Sequence, residues 1–271
     1  MISFTATLIS KYKTAIRKPD GTKEDGHTLK VYRLGTEDLD FLKQLDKKID
    51  SDEFISHKTE GINPLILKEN TKEAITDAIN FIEFEKFPGL KIKAITDIFV
   101  ACFNDKPCGL LVGNLPKVRA KEGISYSNRD VKGETELDWM STWCLSDGSR
   151  PSATGPALIS EFFQHCKKLK KIGIDRIYLR SELPEYSPAM KFYQGLGFKQ
   201  LSDKPIPMDN ENRPVKITRT LFKNEHPLDS SGVFPMIIDI EDTDKAILSI
   251  NKKFHRKKAL KKTKTTLNAE I

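Results

Sequence analysis

The sequence lacks long apolar stretches, and this absence argues against a membrane-spanning helix. Its longest apolar run, residues 98–103, falls far short of the roughly 18–20 residues that a membrane helix needs. The first ten residues lack the basic start, apolar stretch and cleavage site of a secretory signal peptide, so no export signal is expected. With 31% charged residues and 15 phenylalanines among 271 residues, the composition is typical of a folded globular protein.

Cysteine is scarce, and its spacing argues against a metal or redox motif. The four cysteines form no Cys-x-x-Cys pair and lie in apolar or amphipathic segments. Two disulfides are conceivable, but a chain of this length does not need them, so buried reduced thiols are the favoured interpretation. The five histidines lack the spacing of metal ligands. We therefore expect a reducing, cytoplasmic location and no metal.

Positive charge is concentrated at the C-terminal end. Residues 252–271 contain eight basic residues and one acidic residue, which accounts for the whole net charge of +7 and leaves residues 1–251 neutral. A basic pI therefore does not indicate a nucleic-acid-binding face on the rest of the chain. The tail 252–264 is interpreted either as an arm for an anionic partner (nucleic acid, ribosome or lipid) or as a solvated, frayed terminus.

Apolar periodicity predicts alternating strands and helices, which is typical of an α/β fold with a sheet of mixed direction. Helices are expected from Thr36, from Thr71 to Phe87, from Ala157 to Lys171 and from Ser187 to about Tyr193. Turns are expected at 18–21 and 104–107. Strands are expected at 1–16, 29–34, 95–103, 108–115, 136–145, 175–182 and 216–222, with another beginning at Phe198.

One segment of chemical interest is the start of the helix after the fifth predicted strand. There Thr154-Gly155-Pro156-Ala157 leads into the helix. A helix N-terminus presents unpaired N–H groups and the positive end of the helix dipole, so it can hold a pyrophosphate. A tight turn without any ligand explains the same residues.

A second, more specific segment follows the next strand, with the pattern Ala-x-x-Phe-Tyr-x-x-x-Gly-Phe over 189–198. Phe192 and Phe198 suit a core, and Gly197 suits a positive φ after the helix. Packing does not require a tyrosine at 193, although a tyrosine whose hydroxyl is hydrogen-bonded can serve there as a packing residue.

Together the two segments resemble the GCN5-related N-acetyltransferase (GNAT) superfamily, over about Leu29 to Phe222. Its Tyr-x-x-x-Gly-Phe pattern is matched by Tyr193, Gly197 and Phe198. Its Gln/Arg-x-x-Gly-x-Gly/Ala loop is matched in its second half by residues 155–157. Ser152 stands at the Gln/Arg position, which Arg150 fills if the loop carries a two-residue insertion, and Pro156 removes one N–H from the phosphate cradle.

The resemblance implies an α/β fold with a mixed, mostly antiparallel central sheet flanked by helices. It implies an N-terminal hairpin or extension at 1–27, an acetyltransferase domain at 28–224 and a C-terminal extension at 225–271. The implied activity is direct transfer of an acetyl group from acetyl-CoA to a primary amine of a small molecule or protein. The alternative is a catalytically degenerate CoA-binding or interaction module. The implied CoA-binding residues are Leu145, Arg150, Ser152, Ala153, Thr154, Gly155 and Ala157.

The resemblance also implies catalytic roles. Tyr193 would protonate the departing thiolate, and backbone N–H groups near Leu145 would hold the thioester oxygen. Glu136 and Asp138 are two residues apart on a strand and therefore share a face unless a bulge intervenes. Asp138, nearer the C-terminal half of that strand, is the preferred base. Polar residues of a half-exposed strand are the alternative interpretation.

The acceptor itself is not identified by the sequence. Glu182, Glu185 and Tyr186 could line its pocket, where acidic groups would favour a cationic amine, although solvated loop charge is the favoured interpretation of these residues. The segments 50–90 and 116–134 are expected to complete the acceptor site. A third hypothesis is a nucleic-acid-associated protein held by the basic tail.

Overall fold

The computed structural model describes residues 2–51, 54, 64–85, 96–114, 133–182, 189–201, 233–258 and 264–269. The strands within these residues are β1 (Ile2–Arg17), β2 (Lys23–Leu34), β3 (Thr96–Phe103), β4 (Lys106–Asn114), β5 (Glu134–Thr142), β6 (Arg150–Pro151), β7 (Arg176–Glu182), β8 (Lys199–Gln200), β9 (Val233–Asp239), β10 (Lys257–Lys258) and β11 (Lys264–Ala269). They form one sheet in the order β10-β1-β2-β3-β4-β5-β7-β9-β8, and β6 and β11 also pair with β1. Among these pairs, β5 and β7 are parallel and the others are antiparallel.

Helices pack on both faces of this sheet. The α-helices of the described residues are α1 (Leu39–Asp50), α2 (Pro64–Glu85), α3 (Thr154–Leu169), α4 (Ala189–Gly195) and α5 (Thr243–Lys253). On β3, Ile98 and Val100 join a core with α1 and α2, whereas Phe99 joins the core with α3, α4 and α5. We call these sides the α2 face and the α3 face. The arrangement confirms the predicted α/β fold with a mostly antiparallel sheet.

The first hairpin is longer than predicted, because β2 begins at Lys23 and not at Leu29. The predicted turn is present: the Lys18 N–H donates to the Thr22 carbonyl oxygen at 2.9 Å. Gly21 has a φ of +87°, a conformation that glycine adopts without steric cost. The hairpin continues into the central sheet because β2 also pairs with β3.

Two glycines of β4 let α3 pack directly against the sheet. A Cβ atom at Gly109 would lie 2.6 Å from Thr154 Cγ2, and one at Gly113 would overlap the ring of Phe162. Since interiors are close-packed, larger residues would displace the helix. The glycines therefore position Thr154, the first residue of α3, against β4.

The start of α2 differs from the prediction, at Pro64 instead of Thr71. The Thr71 hydroxyl donates to the carbonyl oxygen of Leu67 at 2.8 Å, within the same helix. A threonine can form this bond inside a helix as well as cap one, so the residue type alone does not mark a helix start. The first helix also begins later than expected, because Thr36–Asp38 is a 3-10 turn that precedes α1.

Part of the segment expected as a C-terminal extension belongs to the central sheet. β9 pairs with β7 on one side and with β8 on the other. The predicted strand 216–222 and nearly all of the predicted loop 116–134 lie outside the described residues. In the described part of the chain, β9 is therefore the strand that follows β8.

The described start of the basic tail packs against β1, so the frayed-terminus interpretation is wrong for these residues. Phe254 is buried, and its carbonyl oxygen accepts the N–H of Lys13 at 2.7 Å. Arg256 donates from Nε and Nη2 to the two oxygens of Glu161 on α3, at 2.7 and 3.1 Å. β10 and β11 then extend the sheet beside β1. Binding of an anionic partner by the tail stays a prediction.

The four cysteines are free thiols, and all except Cys144 are buried. Burial raises the pKa of the Cys108 thiol to about 12, which keeps it protonated and unreactive. Among the described residues, no helix is long and apolar enough to cross a membrane.

Candidate active site

The parallel strands β5 and β7 separate part of the way along the sheet. Glu134–Leu137 pair with Arg176–Leu179. Beyond these pairs β5 continues beside β4, and β7 continues beside β9. Beyond these pairs the sheet therefore has an opening between the backbones of β5 and β7.

A β-bulge lies in β5 at the start of this opening. Trp139 is opposite Val112 and Leu137 is opposite Gly113, so Asp138 is the extra residue. A bulge reverses the alternation of side chains, which is why Leu137 packs in the α3-face core whereas Trp139 packs on the α2-face core. The bulge that the sequence prediction left open is present.

The bulge nevertheless leaves Glu136 and Asp138 around one cation. Arg180 of β7 places its Nε 3.1 Å from Glu136 Oε1 and its Nη2 3.9 Å from Asp138 Oδ1. Burial raises the pKa of Asp138 well above its ordinary value, and the charge of Glu136 raises it further, while Arg180 lowers it. A carboxylate with a raised pKa is a stronger base than an ordinary aspartate.

Helix α2 contributes a third carboxylate. Asp77 Oδ2 accepts the indole N–H of Trp139 at 2.6 Å, and burial raises the pKa of Asp77, while the Trp139 bond and Arg180 lower it. A second link joins the same elements, since the hydroxyls of Thr71 and Ser141 lie 2.5 Å apart. The acidic cluster Asp77, Glu136 and Asp138 thus lies between α2 and the sheet.

Sequence reasoning missed Asp77 and Arg180. For Arg180 a signal exists: Ile177 and Leu179 are core residues, so the alternate positions of that strand face the other side. Parallel pairing with β5 then brings Arg180 to Glu136. For Asp77 the helix periodicity gives no comparable signal.

At the start of α3, the loop is fixed by the N-terminal strand. β6 pairs with β1. The Ser152 N–H donates to the Ala15 carbonyl oxygen at 2.8 Å, and the Ala153 N–H donates to the Thr14 hydroxyl at 3.1 Å. The helix begins at Thr154, before the predicted start at Ala157.

The first turn of α3 leaves room for an anion. Within the described residues, no acceptor bonds the N–H groups of Thr154 and Gly155, and no side chain caps the helix. The Thr154 hydroxyl donates to the Pro151 carbonyl oxygen at 3.0 Å. A Cβ atom at Gly155 would meet only Thr142 Cγ2 of the described atoms, at 3.9 Å. Neither packing nor a positive φ therefore explains this glycine.

The N–H of Ala157, another residue expected to bind CoA, donates to the Ala153 carbonyl oxygen at the start of the helix.

Leu145 is not part of β5, which ends at Thr142. Its N–H donates to the Ser149 carbonyl oxygen at 2.8 Å. The expected role for this amide, holding a thioester oxygen, is therefore in conflict with a bond that the loop already makes. The side chain of Leu145 packs against the α3-face core.

Tyr193 lies on the α3 face, across the sheet from Asp138. It is buried in α4, with ring centroids 5.5 Å from Phe192 and 5.7 Å from Phe198. Gly197 has a φ of +101°, as its place after the helix predicts.

The residues expected to bind the acceptor are only partly placed. Glu182 is the last residue of β7 and pairs with Val233. Glu185 and Tyr186 lie outside the described residues. Within the described part of the chain, no group of three or more His, Cys, Asp or Glu side chains is arranged to hold a metal ion.

Comparison with known proteins finds distant similarities to solved structures. No family model matches the chain, and no curated protein matches it. Mycobacterium smegmatis RimJ, solved in complex with CoA-disulfide, is 11% identical, with 89% of this chain and 93% of that chain covered and a TM-score of 0.45. A structure described as a bacterial toxin is 17% identical, with 72% and 86% covered and a TM-score of 0.40. A Desulfovibrio desulfuricans protein assigned to the GNAT acetyltransferase family is 12% identical, with 78% and 99% covered and a TM-score of 0.44.

Proposed function

We propose that the chain is an acetyl-CoA-dependent N-acetyltransferase that moves an acetyl group directly to a primary amine of a small molecule or protein. The opening between β5 and β7 carries this proposal. A half-buried carboxylate with a raised pKa, Asp138, lies at the opening on the α2 face, and a buried tyrosine, Tyr193, belongs to the core of the α3 face. Two reactants that enter from opposite faces can meet there.

The start of α3 suits the coenzyme. Because the helix begins at Thr154, the loop reads Arg150-Pro151-Ser152-Ala153-Thr154-Gly155 across the helix start. Arg150, which is expected to fill the Gln/Arg position of the family pattern, lies in this loop, four residues before the start of the helix. The N–H groups of Thr154 and Gly155 would bind the pyrophosphate.

On the α2 face, Asp138 would accept the proton of the protonated amine. A lysine-like ammonium has a pKa near 10.4, so the amine needs a base before it can attack a thioester. Arg180 pairs with Glu136 beside it, with its Nε 3.1 Å from Glu136 Oε1. Negative charge in the acidic cluster would attract a cationic amine before it loses its proton.

On the α3 face, Tyr193 would donate its hydroxyl proton to the departing thiolate sulfur. The carbon–sulfur bond of the thioester breaks as the tetrahedral intermediate collapses, and the acetyl group stays on the nitrogen of the amine. The proton that Asp138 accepts leaves to solvent in a later step, and the second proton that the attacking nitrogen loses returns Tyr193 to its neutral form. Acid catalysis of this kind contributes typically about 10²–10⁴ in rate.

Thiol release from acetyl-CoA, measured with a panel of amines, tests the proposal. We expect Tyr193→Phe to lower turnover by about 10²-fold or more with an unchanged melting temperature. Tyr32→Phe is the matched control, since Tyr32 is also a buried tyrosine but lies in the core with α1 and α2. Equal turnover in Tyr193→Phe and the unaltered protein would remove the role of Tyr193. Coenzyme binding without thiol release for any amine would favour the degenerate binding module.

A further inference from the structure

A row of three cations crosses the sheet beside the start of α3. Arg17 of β1 is opposite Lys23 of β2 and also opposite Arg150 of β6. Residues directly opposite each other in antiparallel strands have Cβ atoms about 4.5–5.5 Å apart on one face, and like charges there destabilise the sheet. The row therefore needs a compensating partner.

Ion pairs within the described residues compensate the row only at one end. Lys23 Nζ lies 3.9 Å from Asp25 Oδ1. For Arg17 and Arg150, no carboxylate oxygen in the described part of the chain lies within 4.0 Å of the guanidinium group. The two arginines thus carry charge that the described residues leave without an ion pair.

The acidic residue nearest in the loop has another role. Asp147 and Arg150 act in opposite directions on the pKa of the Cys144 thiol, so both lie near it. However, Asp147 Oδ1 accepts the N–H of Ser149 at 2.9 Å and its hydroxyl at 2.6 Å. This carboxylate is therefore held in its own turn.

The two arginines have a fixed relation to the start of α3. β6 leads directly into the loop whose Ser152 and Ala153 amides are bonded to β1. The pairing of β6 with β1 holds Arg17 beside Arg150. Arg17 is exposed and Arg150 is half-buried, so a ligand can reach both from solvent.

We propose that Arg17 and Arg150 together bind a phosphate group of the coenzyme. The inference rests on the proposed function, and it adds a binding residue from the N-terminal hairpin, outside the stretch that resembles the acetyltransferases. Guanidinium groups bind phosphate through paired, charge-assisted hydrogen bonds. A bound phosphate would also remove the repulsion between the two arginines.

Calorimetric titration with CoA and with acetyl-pantetheine, which lacks the nucleotide and its phosphates, tests the inference. We expect Arg17→Ala to raise the Kd for CoA about tenfold, the effect of one lost charge-assisted bond, without changing the Kd for acetyl-pantetheine. Lys11→Ala is the matched control. Lys11 is also on β1 and is opposite two lysines, Lys30 and Lys257, but it lies about 20 Å along the strand.

Each alternative result overturns a defined part of the argument. Equal CoA affinity in Arg17→Ala and the unaltered protein would contradict the inference alone. Equal weakening by Lys11→Ala and Arg17→Ala would replace it with a general effect of surface charge. Absence of CoA binding by the unaltered protein would contradict the proposed function and this inference with it. If Arg17→Ala melts lower, Arg17→Lys, which keeps the charge but loses the paired donors, is expected to raise the CoA Kd with the fold retained.

Discussion

Gly155 offers a perturbation whose effects on stability and binding are expected to be opposite. A Cβ atom there would be in ordinary contact, 3.9 Å from Thr142 Cγ2. In a helix, alanine is more favourable than glycine by about 0.5–1 kcal/mol. For a chain of this size, we expect Gly155→Ala to raise the melting temperature by about 1–4 °C. The same methyl group would lie against any phosphate that bonds the N–H groups of Thr154 and Gly155.

Gly113 supplies the contrasting control, because its role is packing. A Cβ atom there would overlap the Phe162 ring. Overpacking of a core costs typically about 1–3 kcal/mol, so Gly113→Ala is expected to lower the melting temperature by about 2–12 °C. Its effect on coenzyme binding is expected to be small once the protein is folded.

Thermal melts of both variants, with and without acetyl-CoA, measure the two effects in one assay. For Gly155→Ala we expect a melting temperature at or above that of the unaltered protein and a loss of most of the shift caused by acetyl-CoA. A full acetyl-CoA shift in Gly155→Ala would refute the argument that this position is glycine to admit a ligand. A large loss of stability in Gly155→Ala would refute the argument that the surrounding atoms leave room for a methyl group at this position.

Three further predictions concern the buried charges. Asp138→Asn is expected to lower turnover about 100-fold or more without loss of stability near neutral pH. The reason is that folding raises the pKa of Asp138, so ionising this carboxyl lowers the free energy of unfolding as the pH rises from the ordinary aspartate pKa to the raised one. An Asp138→Asn variant clearly less stable than the unaltered protein would contradict this argument. Arg180→Gln removes the charge that lowers the Asp138 pKa, so the acid limb of the pH–rate profile is expected at higher pH, and an unshifted limb would exclude Asp138 as the base. Arg256→Ala leaves the Glu161 carboxylate, whose side chain is 3% exposed, without its cation. We expect the free energy of unfolding, measured with denaturant, to fall by about 3–5 kcal/mol. A fall below about 1 kcal/mol would show that the hydrogen bonds from Ser10 and Tyr12 are enough to stabilise the buried carboxylate.

The order of strands and helices was predictable wherever apolar alternation was clear. The hairpin of β3 and β4 is an example: Phe99 and Val100 face opposite cores, as alternation requires. By contrast, Thr71 resembled a helix cap because its hydroxyl bonds locally in either place. The pairing of β9 with β7 joins residues far apart in the sequence, so no local pattern gave it.

The candidate site was predictable in its residue types and less so in its geometry. Glu136 and Asp138 were chosen from their spacing, but the bulge and Arg180 that define their environment arise from pairing with neighbouring strands. Leu145 was assigned by extending β5 too far. The contribution of β1 to the α3 loop is likewise a tertiary contact, which composition and periodicity do not encode.

The proposed activity requires a bound coenzyme, and a thermal melt of the unaltered protein with acetyl-CoA tests this most directly. At a ligand concentration about 100 times its Kd, binding adds roughly 2.7 kcal/mol to the free energy of unfolding. For a chain of this size we expect the melting temperature to rise by about 5–10 °C. An unchanged melting temperature at millimolar acetyl-CoA would contradict the acetyltransferase account.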